Sequence, residues 1–382
     1  TARTLQPLGV DFASITYGAG GTSRDTTLSY GAELVAMGFP LIGHLTCVGH
    51  SRQELAGLVA QYDAAGFSGI LALRGDPPKG QSTFTAHPKV DHSSGEMMTF
   101  GYAFQAPFVT YSVISASGEL IHSTPITIPK PVFMHDFAVT EKYSLFLDFP
   151  ITLDIERTIA GGPALGFEPE HGSRIGVIPR FGSDQDVRWF EVKTGSVVHT
   201  ANAWDDGDDV VLQASRSKTS DIAGAGLNAE NLEETQGQLY EWRINLTTGV
   251  VTERTLSAVY CDFTRVNDLH ACHPTRYVYA AAFNPERPFS FDGVMKFDNE
   301  TQTTTTFHYG TNRFGGEAVF APKVGAKTED DGYLVCFVQD EAAQQSECLI
   351  LDAQDLAAGP VATIMVPYRV PYGFHATWVG DL

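Results

Sequence analysis

The stretch Glu241-Trp-Arg-Ile-Asn-Leu-Thr-Thr-Gly-Val-Val251 contains the pattern on which the fold assignment depends. Two strand-like runs surround a polar turn that ends in a glycine, which is typical of a β-hairpin. The segments 189–198 and 294–304 repeat the pattern, at a spacing too irregular for a true sequence repeat. Divergent hairpins of this length fit the blades of a β-propeller or the sheets of a large barrel, and we favour the propeller.

Short strands fill the chain on both sides of this stretch, and no long amphipathic helix follows Pro78. The runs are rich in β-branched and aromatic residues and are bounded by turn residues. They lie at residues 108–114, 143–149, 210–214, 277–281 and 333–338. The sequence therefore predicts a mainly β domain at residues 83–382.

The first 80 residues follow a different pattern, in which strands and helices alternate. Strands are predicted at 12–17, 41–47 and 70–73, and a helix at 24–37. Ser51 and Glu54 form a capping box that predicts a second helix ending near Gly66. The order βαβαβ predicts a parallel sheet, and the turn-rich segment 77–82 predicts a domain boundary.

Composition and charge narrow the classes of function. The chain of 382 residues has 43% apolar residues and a net charge of −20. This charge argues against nucleic acid or an anionic membrane surface as a partner. Residues 1–82 carry five basic and six acidic residues, so nearly all of the excess charge follows them, which indicates two joined pieces of different origin. The five cysteines form no CxxC pair, and no signal peptide or long apolar run is visible, so we expect free thiols and a cytoplasmic location.

Four of the twelve histidines lie at the ends of apolar, strand-like runs. A polar ring in such a place needs a partner, and a shared metal ion would satisfy several rings together. A single histidine of this kind is more often a surface or core residue, and imidazole alone does not choose among Fe, Cu, Zn and Ni. In a propeller, however, the innermost strands of all blades converge on one axis. The four residues are His87, His135, His199 and His375.

The segments around these histidines resemble, in order, the four iron-ligand motifs of the carotenoid cleavage oxygenase family. They are Thr85-Ala-His-Pro-Lys-Val-Asp91, Phe133-Met-His-Asp-Phe137, Val198-His-Thr-Ala-Asn-Ala-Trp204 and Tyr372-Gly-Phe-His-Ala-Thr-Trp378. Further similar stretches lie at 173–180, 313–322 and 349–353. The resemblance implies a seven-bladed β-propeller with Fe(II) on its axis. It also implies cleavage of a carbon–carbon double bond by O2 into two carbonyl products.

The same resemblance implies carboxylates that hold the ligand rings. Glu317 matches one of them. Asp262 matches a second, where the family more often has Glu, so a shorter acid must reach the same ring; the alternative is an exposed acid in a turn. The family's third carboxylate belongs to an N-terminal segment that has no counterpart here, and we therefore expect an incomplete propeller.

Residues 1–80 resemble an internal piece of a methylenetetrahydrofolate reductase, a flavin-dependent (β/α)8 or TIM barrel. The segments that carry this resemblance are Ser14-Ile-Thr-Tyr-Gly-Ala-Gly-Gly21, His44-Leu-Thr-Cys-Val48 and Leu71-Ala-Leu-Arg-Gly-Asp-Pro-Pro78. Thr16 and Asp76 fall at the carboxyl ends of strands, where barrel enzymes place their chemistry, and represent a vestigial flavin or folate site. Since only three of eight strands are present, we expect no reductase activity.

The sequence thus predicts an Fe(II)-dependent dioxygenase acting on an apolar conjugated alkene, which is a carotenoid, an apocarotenoid or a stilbenoid. Two alternatives stay open. One is a propeller that has lost its activity and serves in binding, and the other is a fragment of a folate or flavin enzyme.

Overall fold

The structure is a computed structural model, and the chain divides into two compact units, Thr1–Thr83 and Phe84–Leu382. It describes residues 13–17, 24–46, 50–73, 85–103, 105–220, 232–287, 290–372 and 375–378. The predicted linker at 77–82 lies outside these ranges.

The first unit is a three-stranded parallel sheet with two helices. Strands β1, β2 and β3 pair in chain order, which confirms the predicted βαβαβ arrangement. The capping box is formed as predicted, because the Ser51 backbone N donates to Glu54 at 2.7 Å and the Glu54 backbone N donates to the Ser51 hydroxyl at 3.2 Å. The elements are β1 (Ala13–Ile15), α1 (Arg24–Ala36), β2 (Leu41–Thr46), α2 (Arg52–Ala64) and β3 (Gly69–Leu73).

The second unit is built almost wholly from antiparallel strands, which confirms the mainly β prediction. The two α-helices among its described residues are short, α3 (Ile155–Ile159) and α4 (Leu232–Thr235). The strands are β4 (Lys89–Asp91), β5 (Glu96–Tyr102), β6 (Val109–Ile114), β7 (Leu120–Ile126), β8 (Ala138–Val139), β9 (Tyr143–Asp148), β10 (Ile151–Leu153), β11 (Leu165–Phe167), β12 (Ser173–Pro179), β13 (Arg188–Val192), β14 (Ser196–Asp206), β15 (Asp209–Ser217), β16 (Gln238–Asn245), β17 (Val251–Arg265), β18 (Tyr277–Phe283), β19 (Phe291–Asp298), β20 (Thr303–His308), β21 (Arg313–Gly315), β22 (Val319–Pro322), β23 (Gly332–Asp340), β24 (Gln345–Asp352) and β25 (Pro360–Val366).

Most of these strands fall into groups of four neighbours. Group 1 is β4–β7, group 2 is β8, β9, β12 and β13, and group 3 is β14–β17. The long strand β17 pairs with β16 along its first part and with β18 along its second part, so it also opens group 4, which continues through β18, β19 and β20. Group 5 is β22–β25. Each group is antiparallel throughout.

The hairpin predicted at 241–251 is present, but the similar segment 189–198 is not a hairpin. Strands β16 and β17 pair across a turn in which Gly249 has a φ of +76°, a conformation that glycine adopts without strain. The segment 294–304 likewise joins the paired strands β19 and β20. In contrast, β13 pairs with β12 and β14 pairs with β15, so 189–198 connects group 2 to group 3. A polar turn suits either connection, and the pairing partner is a long-range property.

The hydrophobic core is divided among the interfaces between successive groups. Phe146 of group 2 packs in a cluster with Tyr111 of group 1, and Trp242 of group 3 packs in a cluster with Leu147 of group 2. Two further clusters join groups 3 and 4 and groups 4 and 5, the latter around Tyr279. Sheets thus pack face to face in chain order, which burial of both inner faces favours.

The described cysteines form no disulfide, and the described helices do not meet the requirements for crossing a membrane. Cys261, Cys272, Cys336 and Cys348 are free and buried, as expected, whereas Cys47 lies outside the described ranges. Among the helices that the structure describes, none has the length and apolar character needed to cross a membrane.

Candidate metal centre

The first strand of each group brings one functional side chain to a common place. His87 precedes β4, His135 precedes β8, and His199 lies within β14. Asp262 lies in the part of β17 that opens group 4, and Glu317 precedes β22. The segment 375–378, which follows group 5, carries the fourth histidine. A cavity of about 760 Å³ is lined by residues from all of these first strands, so they surround one space.

The four predicted histidines lie together. The Nε2 atoms of His87 and His135 are 2.9 Å apart, and those of His199 and His375 are 3.3 Å apart. One ring nitrogen from each residue lies within 4.8 Å of all the others. His199 is buried, His87 and His135 are half-buried, and His375 is exposed. The rings of His87 and His199 meet nearly edge to face, at 82°, so they are not stacked on each other.

Asp262 holds the His199 ring from behind. Its Oδ1 lies 2.9 Å from the Nδ1 atom of His199. An ionised carboxylate can only accept, so Nδ1 donates its hydrogen to Asp262 and Nε2 is the ring nitrogen that faces the other histidines. The structure therefore brings Asp262 to the ring of His199, and Asp262 lies in a strand with 19% of its side chain exposed.

A local irregularity of the backbone explains how so short an acid reaches the ring. The pairing of β17 with β18 shifts register between Asp262 and Arg265, as in a β-bulge. The next residue, Phe263, has a φ of +53°, which is unusual for a bulky side chain. Bulges beside functional sites commonly redirect a side chain, and here the bulge turns the Asp262 carboxylate toward His199.

Glu317 lies behind the ring of His375, as Asp262 lies behind that of His199. The Nδ1 atom of His375 lies 3.5 Å from Oε2 of Glu317, and the backbone N of Ala376 donates to the same oxygen at 2.7 Å. Arg265 lies 3.6 Å from the other carboxylate oxygen. The buried glutamate thus fixes both the ring of His375 and the backbone that follows it.

Burial keeps two of the rings neutral, whereas a carboxylate acts on the third. Burial lowers the pKa of His87 to about 3 and that of His135 to about 4. The pKa of His199 is raised. Burial favours a lower pKa there, but the charge of Asp262 and its hydrogen bond to the ring outweigh the effect of burial. A neutral imidazole offers a nitrogen lone pair to a metal ion, so His87 and His135 are in the form that binds one.

The residues fit a single metal ion. Two nitrogens that bind one ion at about 2.1 Å and at right angles to each other lie about 3.0 Å apart. The observed spacings of 2.9 and 3.3 Å agree with such a pair. Ring nitrogens this close together need a metal ion or a proton between them, because two unshared lone pairs that face each other repel. The carboxylates behind two rings complete the arrangement that metal-binding histidines commonly show.

Sequence reasoning missed Asp136, which is the most buried charged group beside the site. Its side chain is 2% exposed and pairs with Lys89. Burial alone would raise its pKa, but Lys89 and hydrogen bonds lower it to about 2, so it is ionised. The signal was visible, because an acid directly after His135 interrupts the apolar run Val132–Phe137 and a buried charge needs several partners.

The predicted flavin or folate residues belong to the other unit. Thr16 directly follows β1 and is exposed, and Asp76 lies outside the described residues. The structure therefore gives no arrangement of these two side chains, and their role stays a prediction.

Comparison with protein families decides the affiliation of the chain. A family model described as retinal pigment epithelial membrane protein matches residues 62–380. The chain belongs to the carotenoid cleavage oxygenase family. A second model, methylenetetrahydrofolate reductase, matches residues 1–99 and thus overlaps the first. Both resemblances seen in the sequence are confirmed.

Individual members of the carotenoid cleavage oxygenase family show the extent of the match. A carotenoid 9,10(9',10')-cleavage dioxygenase of Crocus sativus is 41% identical over 317 residues, which are 78% of this chain and 58% of the relative. The crystal structure of a Pseudomonas brassicacearum lignostilbene dioxygenase matches with a TM-score of 0.73 and 30% identity, over 79% of this chain and 67% of that one. A cobalt-substituted Synechocystis ACO matches with a TM-score of 0.71 and 26% identity, over 82% and 69% of the two chains. The chain therefore spans less than two thirds of the Crocus relative.

Proposed function

We propose that the second unit binds one Fe(II) through His87, His135, His199 and His375 and uses it to cleave a carbon–carbon double bond with O2. The observation that carries the proposal is the convergence of four ring nitrogens within 4.8 Å. An alkene and O2 would give two carbonyl products, so that each oxygen atom ends on one of the two former alkene carbons. When bound, the ferrous ion supplies the activation of O2, which the side chains cannot provide.

The residues of the chain have separate tasks in this proposal. The four imidazoles hold the ion, and Asp262 and Glu317 fix two of the rings by accepting from or facing their Nδ1 atoms. Phe133 stacks on the ring of His135 at 12°, which holds that ring in place. The cavity of about 760 Å³ opens onto His87, His199 and His375, so small molecules such as O2 have a route to the site.

The substrate we propose is an apolar conjugated alkene, and a carotenoid or apocarotenoid is the first choice. The Crocus relative, which bears the name of a carotenoid dioxygenase, is more similar to this chain than the lignostilbene dioxygenase is. A stilbenoid is the second choice. Both classes offer an electron-rich double bond in conjugation, which is the bond that the proposed reaction cleaves.

Metal content and product analysis test the proposal. The full chain is purified without oxygen, loaded with Fe(II), and assayed for iron by elemental analysis. We expect one iron per chain and O2 uptake that depends on the alkene. Products from a carotenoid and from a stilbenoid are identified by mass spectrometry as aldehydes, which distinguishes the two substrate classes.

Two histidine variants make this test specific. His199→Ala should abolish stoichiometric iron binding, since His199 is a buried ligand. His122→Ala is the matched control, because the Nε2 atom of His122 lies 2.9 Å from the Gly182 carbonyl oxygen and its ring packs against Tyr111 and Phe181, away from the centre. A His199→Ala protein that keeps one tightly bound iron would refute the assignment.

We infer further that the second unit is an incomplete seven-bladed propeller. Two observations support this inference. The unit contains five antiparallel groups packed in chain order, and the chain covers 67% of the lignostilbene dioxygenase, so five groups correspond to about two thirds of a whole member. The last strand, β25, carries exposed apolar side chains, among them Val361, Ile364 and Met365, on a surface that a further blade would cover. We likewise infer that residues 1–80 are a TIM-barrel fragment, supported by three parallel strands.

A second candidate function is a propeller that binds iron weakly and has lost activity. The observation that favours it is the exposure of His375, in contrast to the buried His199. If this candidate is correct, wild-type protein should release iron readily, and His375→Ala should change iron affinity little. If the oxygenase proposal is correct, His375→Ala should weaken Fe(II) binding at least tenfold, although less than His199→Ala, because water can replace an exposed ligand. Competition with a coloured ferrous chelator measures both.

The remaining expectations stay predictions. A cytoplasmic location is checked by cell fractionation. The absence of nucleic acid binding, expected from the charge of −20, is checked by an electrophoretic shift assay.

A further inference from the structure

The carboxylate of Asp136 is saturated with hydrogen bonds although it lies in the interior. Its Oδ1 accepts from the backbone N of Phe137 at 2.7 Å and from the Lys89 ammonium at 2.8 Å. Its Oδ2 accepts from both the backbone N and the hydroxyl of Thr200, each at 2.8 Å. A carboxylate offers about four acceptor positions, so every one has a donor.

The donors come from three different groups of strands, and each lies beside a histidine of the centre. Lys89 is two residues after His87 in group 1, and Thr200 directly follows His199 in group 3. Asp136 itself directly follows His135 in group 2. One carboxylate thus ties together the segments that carry three of the four rings.

A second set of contacts closes the same network. The hydroxyl of Thr85 donates to the carbonyl of His135 at 3.3 Å and accepts from the backbone N of His87 at 3.1 Å. The hydroxyl of Thr200 lies 3.0 Å from the Phe137 carbonyl. His375, the exposed histidine, is outside this network and is fixed by Glu317 instead.

We infer that Asp136 is a positioning residue that sets the spacing of His87, His135 and His199 and thereby the affinity and geometry of the metal centre. The inference rests on the proposed metal binding and goes beyond the carboxylates that face ring nitrogens. Asp136 acts on the backbone of the ligand segments. It is paired with Lys89, so it adds little net charge to the site.

An amide cannot replace this carboxylate without breaking the network. Asn at position 136 keeps one acceptor oxygen, but its NH2 group must face either the Lys89 ammonium or the Thr200 donors. Donors that face each other in a buried site repel and lose their hydrogen bonds. Asp136→Asn should therefore let the segment of His87 or that of His199 move away from His135.

The experiment compares Asp136→Asn with Asp148→Asn in the full chain. Asp148 is a matched control, because its carboxylate is also buried and also pairs with a cation, Arg174, at 2.8 Å; its second contact is His171, at 2.8 Å. Fe(II) affinity is measured without oxygen by chelator competition. Co(II) is then added as a spectroscopic probe, because its visible absorption reports the number and arrangement of its ligands.

We expect Asp136→Asn to weaken Fe(II) binding 10- to 100-fold and to change the Co(II) spectrum, while Asp148→Asn leaves both as in wild type. Both variants lose a buried ion pair, so a merely structural effect would change them alike. Wild-type affinity and an unchanged Co(II) spectrum in Asp136→Asn would overturn the inference. If wild-type protein itself binds neither metal, the proposed function fails instead, and the two failures are thus distinct.

Milder variants keep the inference testable if Asp136→Asn does not fold. Thr200→Val removes the hydroxyl but keeps the backbone donor, and Lys89→Gln removes the ammonium from a partly exposed position. Each should weaken Fe(II) binding a few-fold, about 3- to 10-fold, because each removes part of the network. Wild-type affinity in both would contradict the role of Asp136.

Discussion

Removal of the Asp262 carboxylate should weaken Fe(II) binding by an amount that the structure allows us to estimate. The carboxylate accepts from Nδ1 of His199 at 2.9 Å, and the His199 ring is 8% exposed. Loss of such a partner commonly costs 10- to 100-fold in metal affinity, or about 1.4–2.8 kcal/mol. The Asp262 side chain is 19% exposed, so water can partly replace it. For Asp262→Ala we therefore expect the lower part of that range, about 10- to 30-fold.

The assay is titration of anaerobic protein with Fe(II) against a ferrous chelator, followed by its absorbance. Asp262→Asn should lose only about 3-fold, since its amide oxygen still accepts from the ring. Asp268→Ala is the control, because Asp268 is a nearby acid that pairs with Arg265 at 2.9 Å and contacts no ring of the centre. Wild-type affinity in Asp262→Ala, or equal losses in Asp262→Ala and Asp268→Ala, would refute the reasoning.

Three further outcomes are expected. Burial raises the pKa of Asp91, but hydrogen bonds from Ser93 and the ion pair with Arg180 outweigh it and lower that pKa to about 2. Because the pKa is lower in the folded state, ionised Asp91 stabilises the fold at pH values above its unfolded pKa, near 4, and this stabilisation is lost as the pH falls through 2. Asp91→Asn should thus lower the free energy of unfolding by about 2 kcal/mol at pH 7 and by far less at pH 2, as measured by urea unfolding. Trp242→Ala should cost about 3–5 kcal/mol in the same assay, because Trp242 is fully buried, whereas Val250→Ala, at a side chain 58% exposed, should change stability little. Finally, purified protein should show no flavin absorbance, since three parallel strands do not close a barrel.

The sequence predicted which residues form the candidate metal centre better than it predicted the contacts that position them. Each histidine lies in a short segment whose residue order is distinctive, so a resemblance could be read residue by residue. The parallel sheet of the first unit was also predictable, because strands and helices alternate along the chain. The start of α2 was predictable because capping by Ser51 and Glu54 is a local interaction. Features that depend on interactions between residues close together in the chain can be predicted from the sequence.

What the sequence did not display depends on pairing between distant strands. The segment 189–198 looks like the hairpin at 241–251, yet its two strands belong to different groups. The reach of Asp262 depends on a register shift against β18 and on the backbone of Phe263. The role of Asp136 depends on Thr200, which is 64 residues away. Each of these follows from contacts that no local pattern encodes.

The arrangement of the groups gives a physical reason why ligands so far apart in the chain can meet. Each group begins at a strand that lines one cavity, and each of these strands carries or follows a histidine or a carboxylate of the centre. The hydrophobic clusters between successive groups fix the angle from one first strand to the next. Core packing sets this angle only as finely as side chains interdigitate, whereas a metal needs its ligands placed to a few tenths of an ångström. Polar contacts that cross between groups, such as those of Asp136 with Lys89, Asp262 with His199 and Glu317 with Arg265, supply the finer adjustment. The unit therefore combines an apolar framework that brings the rings near with a polar network that sets their distances.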